Sequence, residues 1–426
     1  MLFLDKRIPI RIRNMETGSP SIISTPHLSV KPLLRNVTYF LVALGILVFP
    51  LNYKLAGPIR IVDAVFILMT LSVLPIARIN SRIFYFGLSF FLILMASAFA
   101  GQILTTNSNV EGLFFIYKYA VFFFLPVIIH SIKMNRREVH RLMKLLFISY
   151  LLLTGWVYFY QALMVAGYIQ GSYRVSFPLS GDYQVSDAHL YSAYLAVFYM
   201  CYISYWRLLF EHNRVVVCSL SLLLLPAVLL TGSKTGLVVI LVGCLIYLFL
   251  KRKYLVLSVF TVIAIFSVSI LINAGASFSM ACNESDQCRL ISRAVTLNLT
   301  DDESSLSRIN TLVVAFDEIQ KSGYLLGVGV TSSTLLWYDG GISSLLAHSG
   351  ILGLFIFSAY LVKIYISSKK KCVNKDAFIS FRTVFFIAII ANLISEYYLV
   401  TRFIFPVLLF LSLILIDTGN RFNVSS

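Results

Sequence analysis

Hydrophobic and polar positions along this chain alternate in long blocks. Twelve apolar stretches, roughly residues 37–53, 60–77, 83–101, 113–131, 143–166, 189–206, 215–231, 236–250, 254–273, 345–365, 379–399 and 402–417, are joined by polar connections. All but one of the connections are short; the exception, 274–344, lies between the ninth and tenth stretches. A hydrocarbon core of about 30 Å takes about 20 apolar residues in a helix. The pattern therefore predicts an all-α polytopic membrane protein of about 12 transmembrane helices with one large loop on one side.

Inside that loop the period changes. In SRINTLVVAFDEIQKSGYLLGVG (307–329) the apolar residues Ile309, Leu312, Val313, Phe316 and Ile319 recur at three and four, the spacing of one helical face. Ser305 or Ser307 can cap it, and Gly327-Val328-Gly329 breaks it. The expectation is an amphipathic helix lying along the membrane surface. Arg308 stands at its start, where free backbone N–H groups and a guanidinium fork both attract anions. The loop holds eight acids (Glu284, Asp286, Asp301, Asp302, Glu303, Asp317, Glu318, Asp339) against four bases, so Arg308 is read as a placed cation.

Composition narrows the class. At 58% hydrophobic residues and a mean hydropathy of +0.85, residues 1–426 read as one integral membrane domain. Residues 1–35 are basic and polar, with no small-residue cleavage site after a short apolar core, so they read as a cytoplasmic N-terminal segment before a retained anchor. Of the 35 Lys and Arg, 25 fall in the segments that share a side with the N-terminus. Positive charge marks the cytoplasmic side, which puts both termini inside and 274–344 outside. The net charge of +16 does not point to nucleic acid, because the basic residues sit beside spans and offer no stacking platform or groove element. Cys201, Cys218 and Cys244 fall within spans as packing residues. Cys282 and Cys288 bracket CNESDQC in the loop and could close a small disulfide ring in an oxidising compartment. The chain has no GxxxxGK[ST] phosphate loop, no HExxH and no Cys/His cluster with zinc spacing, which argues against ATP-driven work and zinc chemistry.

Ten cations oppose the orientation bias: Lys54, Arg60, Lys118, Arg174, Lys234, Arg289, Arg293, Arg308, Lys321 and Arg402. Ionisable groups at membrane depth are functional suspects. Lys54, Arg60 and Lys321 are read as snorkelling to headgroups, and Lys118 with Glu396 as a structural pair. Arg174, Lys234 and Arg308 are not so easily dismissed. Arg174 lies in the Gly-, Ser- and Tyr-rich connection 167–188, which suits a sugar or phosphate lid as well as a simple connector. Lys234 lies in LTGSKTG (230–236), where Gly232 and Gly236 permit tight re-entry and a cation suits a diphosphate.

Three blocks, LTGSKTGLVVILVG (230–243), SRINTLVVAFDEIQKSGYLLGVG (307–329) and DGGISSLLAHSGILGLFIF (339–357), in this order and with this span layout, resemble the O-antigen ligase and Wzy-type polymerase superfamily of bacterial envelope glycosyltransferases. The resemblance implies a multi-pass protein of the bacterial inner membrane whose large loop is periplasmic. It implies a glycosyltransferase that uses glycans carried on undecaprenyl diphosphate and needs neither metal nor other cofactor. Arg174, Lys234 and Arg308 match the diphosphate-binding cations, with Lys234 standing where the family usually has Arg. The family's last block commonly carries His-Asn where this chain has Asp339-Gly340. The ligase branch leans on that His, so its absence favours a polymerase, with O-antigen ligase second and a lipid-linked oligosaccharide flippase third. Asp339 and His348 are both candidates to activate the acceptor hydroxyl. Expected partners are the undecaprenyl-diphosphate-linked oligosaccharide, membrane lipids and a chain-length regulator protein.

Overall fold

A computed structural model describes residues 30–51, 53–56, 59–75, 82–104, 112–169, 174–178, 188–209, 214–263, 303–335, 338, 340–372, 374–395 and 397–419. Cys282, Cys288, Asp339 and Glu396 lie outside the described residues, as does the Arg308 side chain. The helices are α1 (Val30–Val48), α2 (Ile61–Val73), α3 (Arg82–Leu104), α4 (Leu113–Ser131), α5 (Arg136–Val165), α6 (Ala188–Leu209), α7 (Arg214–Leu230), α8 (Lys234–Leu250), α9 (Tyr254–Ile263), α10 (Glu303–Lys321), α11 (Gly341–Lys371), α12 (Lys375–Ile394) and α13 (Thr401–Gly419). Strands β1 (Lys54–Ala56) and β2 (Ile59–Arg60) form a small antiparallel pair. The chain is thus an all-α membrane protein in architecture, and each expected span contains a helix.

Six of the described helices, α1, α3, α4, α5, α11 and α12, are long and apolar enough to cross a bilayer, while α2, α7, α8 and α9 are shorter apolar helices. α6 and α13 differ in kind. Both are buried along nearly their whole length. Helices wrapped by other helices need no lipid-facing surface, which is why α6 can carry Tyr191, Ser192, Tyr194, Tyr199 and Tyr202.

Several helix ends differ from the hydropathy pattern. α1 starts at Val30, seven residues before the expected span, and ends at Val48 ahead of Pro50. Residues 30–35 therefore belong to a helix and not to a polar tail. α5 starts at Arg136 and not at 143, because Asn135 and Glu138 form a reciprocal capping box in a polar stretch that carries no hydropathy signal. α11 runs from Gly341 to Lys371, beyond the expected 345–365 at both ends.

Contacts define two faces. On one, Arg35 donates to both Glu138 oxygens at 2.8 and 2.6 Å and to the Ile132 carbonyl at 3.0 Å. Lys251 pairs with Asp376, and Asp417 lies 3.5 Å from Arg136 and from His140 and accepts from the Tyr205 hydroxyl at 3.0 Å. These contacts join the start of α1, the start of α5, the ends of α8 and α13, and the start of α12. The opposite helix ends meet at the other face, together with the segments 53–56, 59–60, 174–178, 231–235, 324–335 and 397–401.

The segment 324–333 is packed tightly into that second face. A Cβ on Gly101 of α3 would stand 1.6 Å from the Val328 carbonyl oxygen, so only glycine lets the two backbones approach. At Gly350 the backbone is left-handed (φ 64°, ψ −166°) and α11 kinks. There Ile351 and Leu352 donate to the Tyr324 and Leu325 carbonyls instead of continuing the helical ladder. α4 has a related repair. Pro126 lacks the N–H that would serve the Phe122 carbonyl, and the Tyr360 hydroxyl of α11 donates to that carbonyl at 3.3 Å.

Candidate functional site

The second face carries a buried group of charges around the start of α4. The Lys118 ammonium donates to Asp63 Oδ1 at 3.0 Å and to Thr401 Oγ1 at 2.7 Å. Both members of the pair are almost fully enclosed, Lys118 at 3% and Asp63 at 0% exposure. Asp63 is held from two further directions. The Arg60 backbone N–H donates to its Oδ2 at 2.9 Å as part of the α2 capping box, and the Tyr117 hydroxyl donates to its Oδ1 at 3.2 Å. The Lys118 ammonium also lies over the rings of Phe114 and Tyr117, 4.6 and 5.5 Å from their centroids, where the π faces favour a cation.

More positive charge surrounds this pair. Arg60 and Arg402 are both near enough to act electrostatically on Lys118. Arg402, on the first turn of α13, is buried and stacks on Phe177 at 4.8 Å. Among the described residues Arg60, Lys118 and Arg402 gather around one carboxylate, Asp63.

Phe177 brings in the Arg174 connection. Trp156 donates to the Ser176 carbonyl at 3.0 Å, and Val175 N–H donates to the Thr231 carbonyl at 3.3 Å. The last contact ties residues 174–178 to the turn that carries Lys234. That turn is built as its glycines suggest: Gly232 is left-handed at φ 73°, Ser233 caps α8, and Gly236 packs on Ser192, whose Oγ accepts its N–H at 3.1 Å. Lys234 is half-buried. The fold therefore joins the Arg174 and Lys234 segments, and adds Arg402, Lys118, Asp63 and Arg60.

α10 attaches elsewhere on this face. Ala315 and Ile319 are buried, and α10 packs against α11. Its Glu318 accepts from the Tyr338 hydroxyl and the Thr334 N–H. Burial first, and then the Glu318 carboxylate, push the Tyr338 hydroxyl well above its ordinary range, so it stays protonated and donating. Ile309, Val313 and Phe316 remain exposed. The expected amphipathic helix is present, with its apolar residues divided between α11 and the outside.

His348 lies on α11 and is fully buried. Its Nδ1 is 3.1 Å from the Tyr119 hydroxyl, and the rings of Phe115, Tyr119 and Tyr338 enclose it. Its Nε2 has no hydrogen-bond partner among the described residues. Lys118 and Tyr119 are neighbours on α4, so one helical turn serves both the cation group and the histidine. Among the described residues no cluster of three or more His, Cys, Asp or Glu could hold a metal ion.

Lys118 pairs with Asp63; the expected partner Glu396 lies outside the described residues. Arg60, read as snorkelling, is half-buried with its Nε enclosed, and its backbone caps the helix that presents Asp63. Lys321, also read as snorkelling, is exposed. Arg60, Lys118 and Arg402 were detectable as cations on the wrong side of the charge bias. Asp63 gave no such signal. No protein-family model matches the chain, and no curated protein gives a significant match.

Proposed function

We propose that this chain is a glycan polymerase that moves a growing saccharide from a polyprenyl diphosphate to a new lipid-linked repeat unit at the periplasmic face of the bacterial inner membrane. A hydroxyl of the acceptor attacks the anomeric carbon of the donor sugar. The bond from that carbon to the diphosphate oxygen breaks, and the diphosphate leaves with the electron pair. The hydroxyl proton passes to a base, for which Asp339 and His348 are the candidates. The observation that carries this reading is the gathering of Arg60, Lys118 and Arg402 beside the Arg174 and Lys234 segments. Fixed cations aimed at charge that develops on a leaving group are a main source of rate enhancement in such transfers. α10 begins at Glu303, so Ser305 and Ser307 lie inside it and Arg308 is its sixth residue, not its start as expected from the sequence; Arg308 is kept in the diphosphate set on the resemblance alone.

Polymerisation of purified lipid-linked repeat units by the full-length protein tests the reading. Arg402→Ala and Arg308→Ala are each expected to lower turnover by about 10²- to 10³-fold. Full chain growth by both variants would remove the diphosphate assignment. In cells lacking the gene, a single repeat displayed on lipid A-core supports the polymerase. Polymerised glycan retained on the lipid carrier supports the ligase reading instead.

A further inference from the structure

We propose that His140 and Asp417 form a proton-operated latch that fastens the end of α13 to the start of α5, on the face opposite the cation group. The latch stands apart from the reaction proposed above. Asp417 is 1% exposed, and its carboxylate meets three groups. The Tyr205 hydroxyl of α6 donates to Oδ2 at 3.0 Å. Oδ1 lies 3.5 Å from Arg136 Nε and 3.5 Å from His140 Nε2. Yet neither Oδ1 nor His140 Nε2 has a hydrogen-bond partner among the described residues, and both atoms are buried. A buried polar atom left unmatched is destabilising, the more so when it is charged. Here the two unmatched atoms are neighbours.

A proton on His140 supplies what both atoms lack. The protonated imidazole donates from both nitrogens, and a charge-assisted hydrogen bond is about twice as strong as a neutral one. A neutral ring with its hydrogen on Nε2 makes only the weaker bond, and one with its hydrogen on Nδ1 turns a lone pair to the carboxylate. Histidine changes charge between about pH 5 and 8, and the His140 side chain, 29% exposed, is open enough to exchange its proton with solvent. Arg136, one turn earlier on the same face of α5, is 58% exposed, and a cation so open to water contributes little. The other charges leave this pair to itself. Glu138 and Asp417 are the only carboxylates on α5 and the helices packed against it, α1, α6, α7 and α13, and Glu138 is held by Arg35. Arg137, Arg141 and Lys144 on α5 and Tyr39 on α1 complete the titratable groups at this end, beside Arg207 and Arg214, whose side chains lie outside the described residues. On the helices that pack on α13, His130 Nδ1 is 2.8 Å from the Pro126 carbonyl and Asp376 pairs with Lys251. The latch is closed below the pH at which His140 gives up its proton and opens as the pH rises through it. α13 also carries Arg402, about 23 Å from Asp417 along the axis, so the latch steadies the far end of a helix that serves the cation group.

Amide hydrogen exchange of the purified full-length protein tests this, read as protection factors so that the base catalysis of exchange itself drops out. Amides in the last two turns of α13 are expected to be about tenfold better protected at pH 6 than at pH 8. His140→Gln, which is neutral at both, is expected to show the same protection at the two pH values, and so is Asp417→Asn. One readout needs no variant to fold. Hydrogen exchange at the imidazole C2 carbon of His140 in the wild type is expected to titrate over the same pH range as the amide protection. Equal amide protection at the two pH values in the wild type, a wild-type difference retained by His140→Gln, or a His140 that does not titrate between pH 5 and 9 would overturn the proposal.

Discussion

Replacing Asp63 with Asn keeps its shape and removes the negative charge that faces Lys118, Arg60 and Arg402. At an effective dielectric constant near 20, unit charges about 4 Å apart interact by about 4 kcal/mol. Breaking a buried pair from one side costs about 3–5 kcal/mol, because the remaining charge stays enclosed without compensation. With Asp63 and Lys118 both nearly inaccessible, Asp63→Asn is expected to lose stability in that range, read as a drop in the thermal unfolding midpoint of the purified protein. The double variant Asp63→Asn with Lys118→Met removes both charges and is expected to recover most of the loss, since paired apolar replacements are often neutral or stabilising. Turnover is expected to separate from stability. Under the proposed function Lys118→Met, alone or in the double variant, removes a cation that would act on the leaving group and should stay at least tenfold slower than wild type on lipid-linked repeat units. A double variant with wild-type stability and wild-type turnover would refute a catalytic use of this cluster and leave the pair structural. Wild-type stability in Asp63→Asn alone would refute the pairing itself.

Arg402→Lys keeps the charge but loses the planar group that stacks on Phe177, so its turnover is expected to fall between those of wild type and Arg402→Ala. Gly350→Ala forces a side chain onto a left-handed backbone beside the Leu325 carbonyl. Strain of about 1–3 kcal/mol plus that clash should lower the unfolding midpoint and increase protease cutting within 324–333. Tyr119→Phe removes the hydrogen bond at His348 Nδ1. If His348 serves as the base, this variant lowers turnover with unchanged donor KM and His348→Ala abolishes chain growth; normal growth by His348→Ala assigns the role to Asp339. Arg35→Ala breaks a pair that is partly open to solvent, and a loss of about 1 kcal/mol or less is expected, far below that of Asp63→Asn in the same unfolding assay.

The positions of the described apolar helices were legible from hydropathy because each lies on a block of apolar residues. Helix ends were less so. Residues 136–142 (RREVHRL) are polar yet form the first turns of α5, because a capping box starts a helix whatever its hydropathy. The 324–333 segment also escaped notice as a packed element. Its fit depends on Gly101 and Gly350, which lie on two different helices. The candidate site was half legible for a similar reason. Positive charge on the less basic side stands out against an orientation rule, so Arg174, Lys234, Arg402, Lys118 and Arg60 were all visible as exceptions. Which exception serves which purpose depends on helix neighbours. Lys118 meets Asp63 because α4 packs between α2 and α13, and no one-dimensional pattern states that adjacency. Asp63, in the first turn of α2, reads in sequence as an ordinary helix-start acid.

The depth of these charges bears on surface chemistry against translocation. Asp63, Lys118 and Arg402 are the third, sixth and second residues of their helices. At 1.5 Å per residue they lie within about 9 Å of the helix starts, whereas the midplane of a 30 Å core is about 15 Å down. Carriers place substrate sites near the midplane, where broken helices can expose them to either side in turn. Here the charged group stays at one face, which accords with the proposed chemistry on a lipid that stays in its leaflet better than with a carrier's midplane site.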